Sequence, residues 1–164
     1  MSTLPQSEPA PAGTDLVFRV AHGADLAAIV RMLADDPLGA QRESCSDPLP
    51  RSYHAAFEAI DRDPNNELVV AVLGDAVIGV LQMTFIPYLT HRGAWRALIE
   101  GVRVSSGARS GGAGGAMIRW AIERAKQRDC AMVQLTTDRS RADALRFYER
   151  LGFVASHHGM KLRL

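Results

Sequence analysis

Five glycines crowd the run Val102-Arg103-Val104-Ser105-Ser106-Gly107-Ala108-Arg109-Ser110-Gly111-Gly112-Ala113-Gly114-Gly115, where a strand-like segment meets a long amphipathic helix. Glycine admits positive φ and lets a ligand reach backbone N–H groups. The first turn of a helix adds unpaired donors and a partial positive charge. These residue types at this spacing suit a phosphate or pyrophosphate; a flexible Gly/Ser linker is the plain alternative. Two familiar phosphate loops are excluded. A P-loop needs Lys and Ser/Thr after its last glycine, but Ala113 and Gly114 follow Gly112; a dinucleotide fingerprint starting at Gly112 needs a small residue where Met117 stands.

The elements that must position this loop can be read from periodicity. Residues 1–14 are rich in proline and small polar residues and are expected to form a disordered tail, with one domain over residues 15–164. Leu16 to Val20 reads as a strand, and Leu26, Ile29, Val30 and Leu33 as one helical stripe stopped by Pro37 and Gly39. After a polar loop from Ala40 to Pro50, Tyr53, Ala56, Phe57 and Ile60 mark a second helix. Glu67–Leu73 and Ala76–Phe85 form a hairpin around Gly74-Asp75, and Trp95–Val104 is a further strand in which Gly101 predicts a bulge.

The helix after the glycine loop carries Gly114, Met117, Ile118, Ala121, Ile122 and Ala125 as one apolar stripe. Met132, Val133 and Leu135 give the next strand. Ser140-x-x-Asp143 predicts a capping box for a helix that ends at Gly152, and the alternation of Met160, Leu162 and Leu164 with Lys161 and Arg163 predicts a half-buried terminal strand.

A chain of 164 residues supports one core without staples. The formal net charge of +1, with interspersed signs, gives no reason to expect nucleic acid or a membrane surface as partner. No apolar run spans a bilayer, Cys45 and Cys130 sit in no C-x-x-C pair, and the histidines form no metal-spaced cluster. The expectation is a cytoplasmic protein with free thiols and no metal; whether it pairs into a homodimer stays open.

Arg109-x-x-Gly112-x-Gly114 resembles the Q/R-x-x-G-x-G/A loop of the GNAT superfamily of acetyl-CoA-dependent N-acetyltransferases. About 35 residues later, Ala144-Leu145-Arg146-Phe147-Tyr148-Glu149-Arg150-Leu151-Gly152-Phe153 resembles that family's second signature, A-x-x-F-Y-x-x-x-G-F. The resemblance implies an α/β GNAT fold, a central mixed sheet of six to seven strands with about four helices. It also implies a bulged fourth strand that splays from the fifth to admit the thioester arm of acetyl-CoA. Two departures stand out: Arg141 where many members have Asn, and Ser110 where many have Gly.

Acetyl transfer to an amine needs a held thioester, a donor at its carbonyl, a base for the ammonium and an acid for the thiolate. The resemblance implies that amides of Ser110, Gly111, Gly112, Ala113, Gly114 and Gly115 hold the pyrophosphate. Val102, Arg103 and Val104 would pair with the pantetheine as a pseudo-strand, with Arg109, Arg141, Ala144 and Phe147 completing the cofactor site. Tyr148 is the candidate acid, or else a packed core tyrosine; Glu100 is the candidate base, or else an ion-pair partner of Arg96 or Arg103. The leading acceptor is a small-molecule amine. A protein or peptide amine, or a non-catalytic acyl-CoA sensor, are the alternatives.

Overall fold

Alternating and continuous apolar runs become strands, and 3.6-residue stripes become the helices that cover them. The computed structural model describes residues 16–35, 37–109 and 111–164; the expected tail and Ser110 lie outside the described residues. In chain order the elements are β1 (Leu16–Val20), a short 3-10 turn, α1 (Leu26–Ala34), α2 (Arg51–Arg62), β2 (Asn66–Leu73), β3 (Ala76–Pro87), the one-turn α3 (Thr90–Gly93), β4 (Trp95–Val104), a second 3-10 turn, α4 (Ala113–Gln127), β5 (Cys130–Leu135) and α5 (Ala142–Arg150).

The five strands lie in the order β1-β2-β3-β4-β5. The first four pair antiparallel, and β5 runs parallel to β4. This mixed sheet is buried on both faces, which explains the apolar runs in β2 and β3. On one face Val69, Leu81, Met83, Phe85 and Ile99 pack against Met117, Ile118 and Ala121 of α4. On the other, Val70 and Val80 meet Ile29 and Met32 of α1, with Phe57 of α2 beside them.

Two expectations about the architecture need correction. The sheet has five strands rather than six to seven, because Met160–Leu164 forms no strand. Met160, Leu162 and Leu164 are exposed instead; alternation specifies a strand only where an edge and a covering layer receive it, and here neither does. The described residues form five helices where about four were expected. The extra one, α3, is a single turn in which His91 and Arg92 adopt left-handed backbone angles.

The capping box at Ser140 does not form either. The Ser140 hydroxyl donates to Asp138 Oδ1 at 2.6 Å, and α5 begins one residue after Arg141 with no side-chain cap. Its other end matches expectation. Gly152, at φ +91°, gives its N–H to the Glu149 carbonyl, and Phe153 N–H reaches the Tyr148 carbonyl at 3.1 Å. Those two bonds are a Schellman motif, so the Gly-Phe of the second signature is a helix stop that also fixes the residue carrying the phenol.

Candidate active site

The site begins where β4 and β5 part. Parallel pairing runs from Trp95 to Ile99 on β4 and ends at Leu135 on β5. Beyond Ile99, β4 continues to Val104 with β3 as its partner: Gln82 faces Glu100, Val80 faces Arg103 and Gly79 faces Val104. One residue of β3 there opposes two of β4, with Gly101 at φ +62°. That is the predicted bulge. The side of β4 turned away from β3 is therefore unpaired by any described strand from Glu100 to Val104, since β5 ends at Leu135.

Beside the end of β4 stands the start of α4. Gly112 is its N-cap at φ +78°, a left-handed conformation that disfavours any side chain, and no side chain caps the helix. The first intrahelical bond beyond the cap runs from Ala116 N–H to Gly112 O at 3.0 Å. The N–H groups of Ala113, Gly114 and Gly115 thus have no acceptor within the helix. A Cβ built on Gly112 would meet nothing within 4 Å, and uncapped helix-start donors of this kind suit an anion such as a pyrophosphate.

Three segments far apart in sequence converge here. A Cβ on Gly114 would lie 3.6 Å from Val104 Cγ2 and 3.7 Å from Phe147 Cζ, which brings the end of β4, the start of α4 and the middle of α5 together. Val102, Val104, Phe147 and Tyr148 all pack on the same core. The Tyr148 ring meets Phe147 edge-on at 5.1 Å and Phe153 at 5.8 Å. Burial pushes its phenol above the usual value, while the nearby Arg103 and Arg141 pull in the opposite direction. The group is therefore protonated at neutral pH and has cations beside it.

The other expected residues take varied places. Ala113 is buried, Gly111 gives its N–H to the Ala108 carbonyl at 3.3 Å, and a Cβ on Gly115 would approach Arg119. Ala144 is half-buried and bonds back to the Arg141 carbonyl. Arg103 gives Nη1 to the Val102 carbonyl. Arg109 does not reach into the space above α4: its Nε donates to the Val104 carbonyl at 3.1 Å and its Nη2 to the Asp35 carboxylate at 3.0 Å.

Glu100 is exposed on the opposite face of the strand from Ile99, and its side chain has no hydrogen bond or ion pair among the described residues. Arg96 lies over the Tyr88 ring instead, 4.9 Å from its centroid.

Two features escaped the sequence reading. Asp35 carries no motif and was not singled out in the sequence. Tyr53, placed on α2 by its period, donates its hydroxyl to Glu43 Oε2 at 2.9 Å and receives the Ser44 N–H at 3.0 Å, so it pins the loop before α2. The nearest available signal was its position on the α2 stripe opposite a polar loop. Among the described residues no group of three His, Cys, Asp or Glu side chains is placed to hold a metal ion. No helix among them is long and apolar enough to cross a membrane.

Comparison with known proteins agrees with this geometry. The crystal structure of a transcriptional regulator from Bacillus halodurans C-125 superposes with a TM-score of 0.89 at 55% identity, over 92% of this chain and 100% of that one. An acetyltransferase from Trypanosoma brucei gives 0.75 at 27% identity, over 92% and 100%. Among curated proteins, the aminoalkylphosphonate N-acetyltransferase of Salmonella typhimurium is 29% identical over 107 residues, 65% of this chain and 69% of that protein. Residues 28–153 match the model of the acetyltransferase (GNAT) family, spanning both the uncapped α4 start and the Tyr148 helix. The chain belongs to that family and is an acetyl-CoA-dependent N-acetyltransferase.

Proposed function

We propose that the chain transfers the acetyl group of acetyl-CoA to the primary amine of a small molecule by direct attack in a ternary complex. The observation that carries this reading is the meeting of Val104, Gly114 and Phe147 beside the start of α4, with Tyr148 packed next to Phe147. The α4 amides from Ala113 to Gly115 would hold the pyrophosphate, and the backbone of Val102 to Val104, on the side that no described strand pairs, would hydrogen-bond the pantetheine arm. When bound, acetyl-CoA supplies an activated acyl carbon and a thiolate leaving group.

The chain's own groups supply the rest. Glu100, exposed and with no side-chain partner among the described residues, takes the proton that the acceptor ammonium must lose, directly or through a water. The amine nitrogen then bonds to the acyl carbon, and a backbone N–H near Val102 stabilises the charge that develops on the oxygen. As the carbon–sulfur bond breaks, the Tyr148 phenol gives its proton to the sulfur. A phenol suits this role because its acidity lies near that of a thiol, and burial keeps it protonated until needed.

The class of acceptor rests on the Salmonella relative, which acts on aminoalkylphosphonates. A small amine, with or without an anionic group, is the corresponding expectation for this chain. One observation favours a second reading, an acyl-CoA-responsive sensor: the Bacillus halodurans protein is a transcriptional regulator. Steady-state CoA release across a panel of aminoalkylphosphonates, other small amines and peptides separates the readings. Turnover on a small amine, reduced in Glu100→Gln with acetyl-CoA affinity kept, supports the first. Turnover on peptides alone would shift the acceptor class, and binding of acetyl-CoA with no turnover on any member would replace the enzyme reading with the sensor.

A further inference from the structure

A single arginine side chain ties the glycine loop to a helix more than seventy positions earlier in the chain. Arg109 donates Nε to the carbonyl of Val104, the last residue of β4, at 3.1 Å. Its Nη2 reaches the Asp35 carbonyl at 2.9 Å and the Asp35 carboxylate at 3.0 Å. The anchor is rigid, because Asp35 caps the C-terminus of α1 with its own N–H on the Met32 carbonyl, and α1 is held to the sheet by the buried Ile29, Val30 and Met32. A cation at a helix C-terminus also meets the partial negative charge there.

The remaining bonds of the loop are mostly local. Ala108 N–H goes to the Ser105 carbonyl and Gly111 N–H to that of Ala108, while Ser105 N–H is bound to Ile78 at the start of the loop. Arg109 lies three residues before the left-handed Gly112, so its placement sets where the α4 donors begin. We infer that Asp35 is a positioning residue for acetyl-CoA: it holds Arg109, and through Arg109 it keeps the amides at the start of α4 arranged for the pyrophosphate. The inference rests on acetyl-CoA occupying that site.

Two magnitudes make it sharp. Both partners are about half exposed, with side-chain exposures of 51% and 46%, so the ion pair adds little to global stability. Electrostatics alone also gives the opposite sign. A carboxylate near an anion site repels the anion, and deleting it while leaving Arg109 positive should strengthen binding. If Asp35 acts by arranging the loop, its deletion weakens binding instead, because the loop must then be ordered by the ligand.

The test is titration calorimetry of acetyl-CoA with wild type, Asp35→Ala, Asp35→Glu, Arg109→Ala and the double variant, together with thermal melts. Asp35→Ala is expected to raise Kd about tenfold with an unchanged melting temperature, and Asp35→Glu to recover part of the loss. In the Arg109→Ala background, Asp35→Ala should have no further effect. On an identified acceptor, KM for acetyl-CoA rises in Asp35→Ala while kcat at saturation holds. Unchanged or tighter binding in Asp35→Ala, or additive losses in the double variant, would overturn the inference while wild-type binding stands. Failure of the wild type to bind acetyl-CoA would instead remove the cofactor assignment beneath it.

Discussion

Arg124 grips Glu67 across the interface between α4 and β2, with Nη2 donating to Oε1 at 2.6 Å and Nε to Oε2 at 2.9 Å. The Glu67 side chain is 10% exposed and that of Arg124 33%, so the carboxylate relies on this one guanidinium in place of water. Breaking a fully buried pair costs about 3–5 kcal/mol; partial exposure of the arginine reduces that to about 2 kcal/mol for Glu67→Ala. Urea unfolding should show a lower midpoint with an unchanged slope. An unaltered midpoint would mean that the pair contributes nothing net.

Asp25 gives a pH dependence with a definite sign. Its carboxyl is held below the usual carboxylate range, first by the two hydrogen bonds from Arg19, at 2.7 and 2.9 Å, and also by the His22 N–H, against the opposing effect of burial. A depressed folded pKa contributes stability that is complete above the unfolded value, near 4, and is lost as pH falls through the lower folded value. The gap in melting temperature between wild type and Asp25→Asn should be full at pH 7 and narrow below about pH 4. A gap that is constant down to pH 3 would contradict this.

Gly112 and Gly114 should respond differently to the same added methyl group. Gly112 has open space but a φ of +78°, so alanine there costs about 1–2 kcal/mol of backbone strain and reorients the first donors of α4. Gly114 is helical, and its added Cβ would sit in ordinary contact with Val104 and Phe147. Weaker acetyl-CoA binding is therefore expected for Gly112→Ala, and near wild-type binding for Gly114→Ala. Equal losses in isothermal titration would show that crowding, rather than backbone geometry, governs the loop.

Tyr148→Phe keeps the ring that packs on Phe147 and Phe153 and removes the proton donor. Loss of a positioned general acid lowers turnover about a hundredfold, with cofactor affinity little changed. The missing hydroxyl should cost the fold no more than about 1 kcal/mol. Pre-steady-state and steady-state CoA release on an identified amine measure the effect, and a variant with wild-type turnover removes Tyr148 from the mechanism.

Much of this architecture was readable from residue order. Gly74-Asp75 announced its hairpin, Gly101 its bulge and Gly152 its helix stop, because each is a local backbone requirement that one residue type meets. The apolar stripes placed α1, α2 and α4 for the same reason. What could not be read depends on partners distant in sequence. Nothing near Asp35 announces Arg109, and Glu67 looks like an ordinary strand carboxylate until α4 brings Arg124 against it. Met160–Leu164 had the pattern of a strand, yet a pattern names the face a strand would bury and not the neighbour it needs. Ser140 is not the cap because α5 begins at Ala142, which puts Arg141 in the N-cap position.

The strand order that follows chain order, β1 through β5, also bears on how the protein assembles. The antiparallel pairs β2–β3 and β3–β4 can zip with modest loop-closure entropy, whereas β1 meets β2 only across α1 and α2, and β5 reaches β4 only after the whole of α4 has intervened. The seam between β4 and β5 is thus the pairing of longest sequence separation along the sheet's second half, and its hydrogen bonds are expected to open before those of the meander. The acetyl-CoA site proposed above lies just past the end of that seam. Amide exchange should be faster in Cys130–Leu135 than in Val69–Ala71, and acetyl-CoA should slow the former selectively; uniform protection would mean that the sheet opens as one piece.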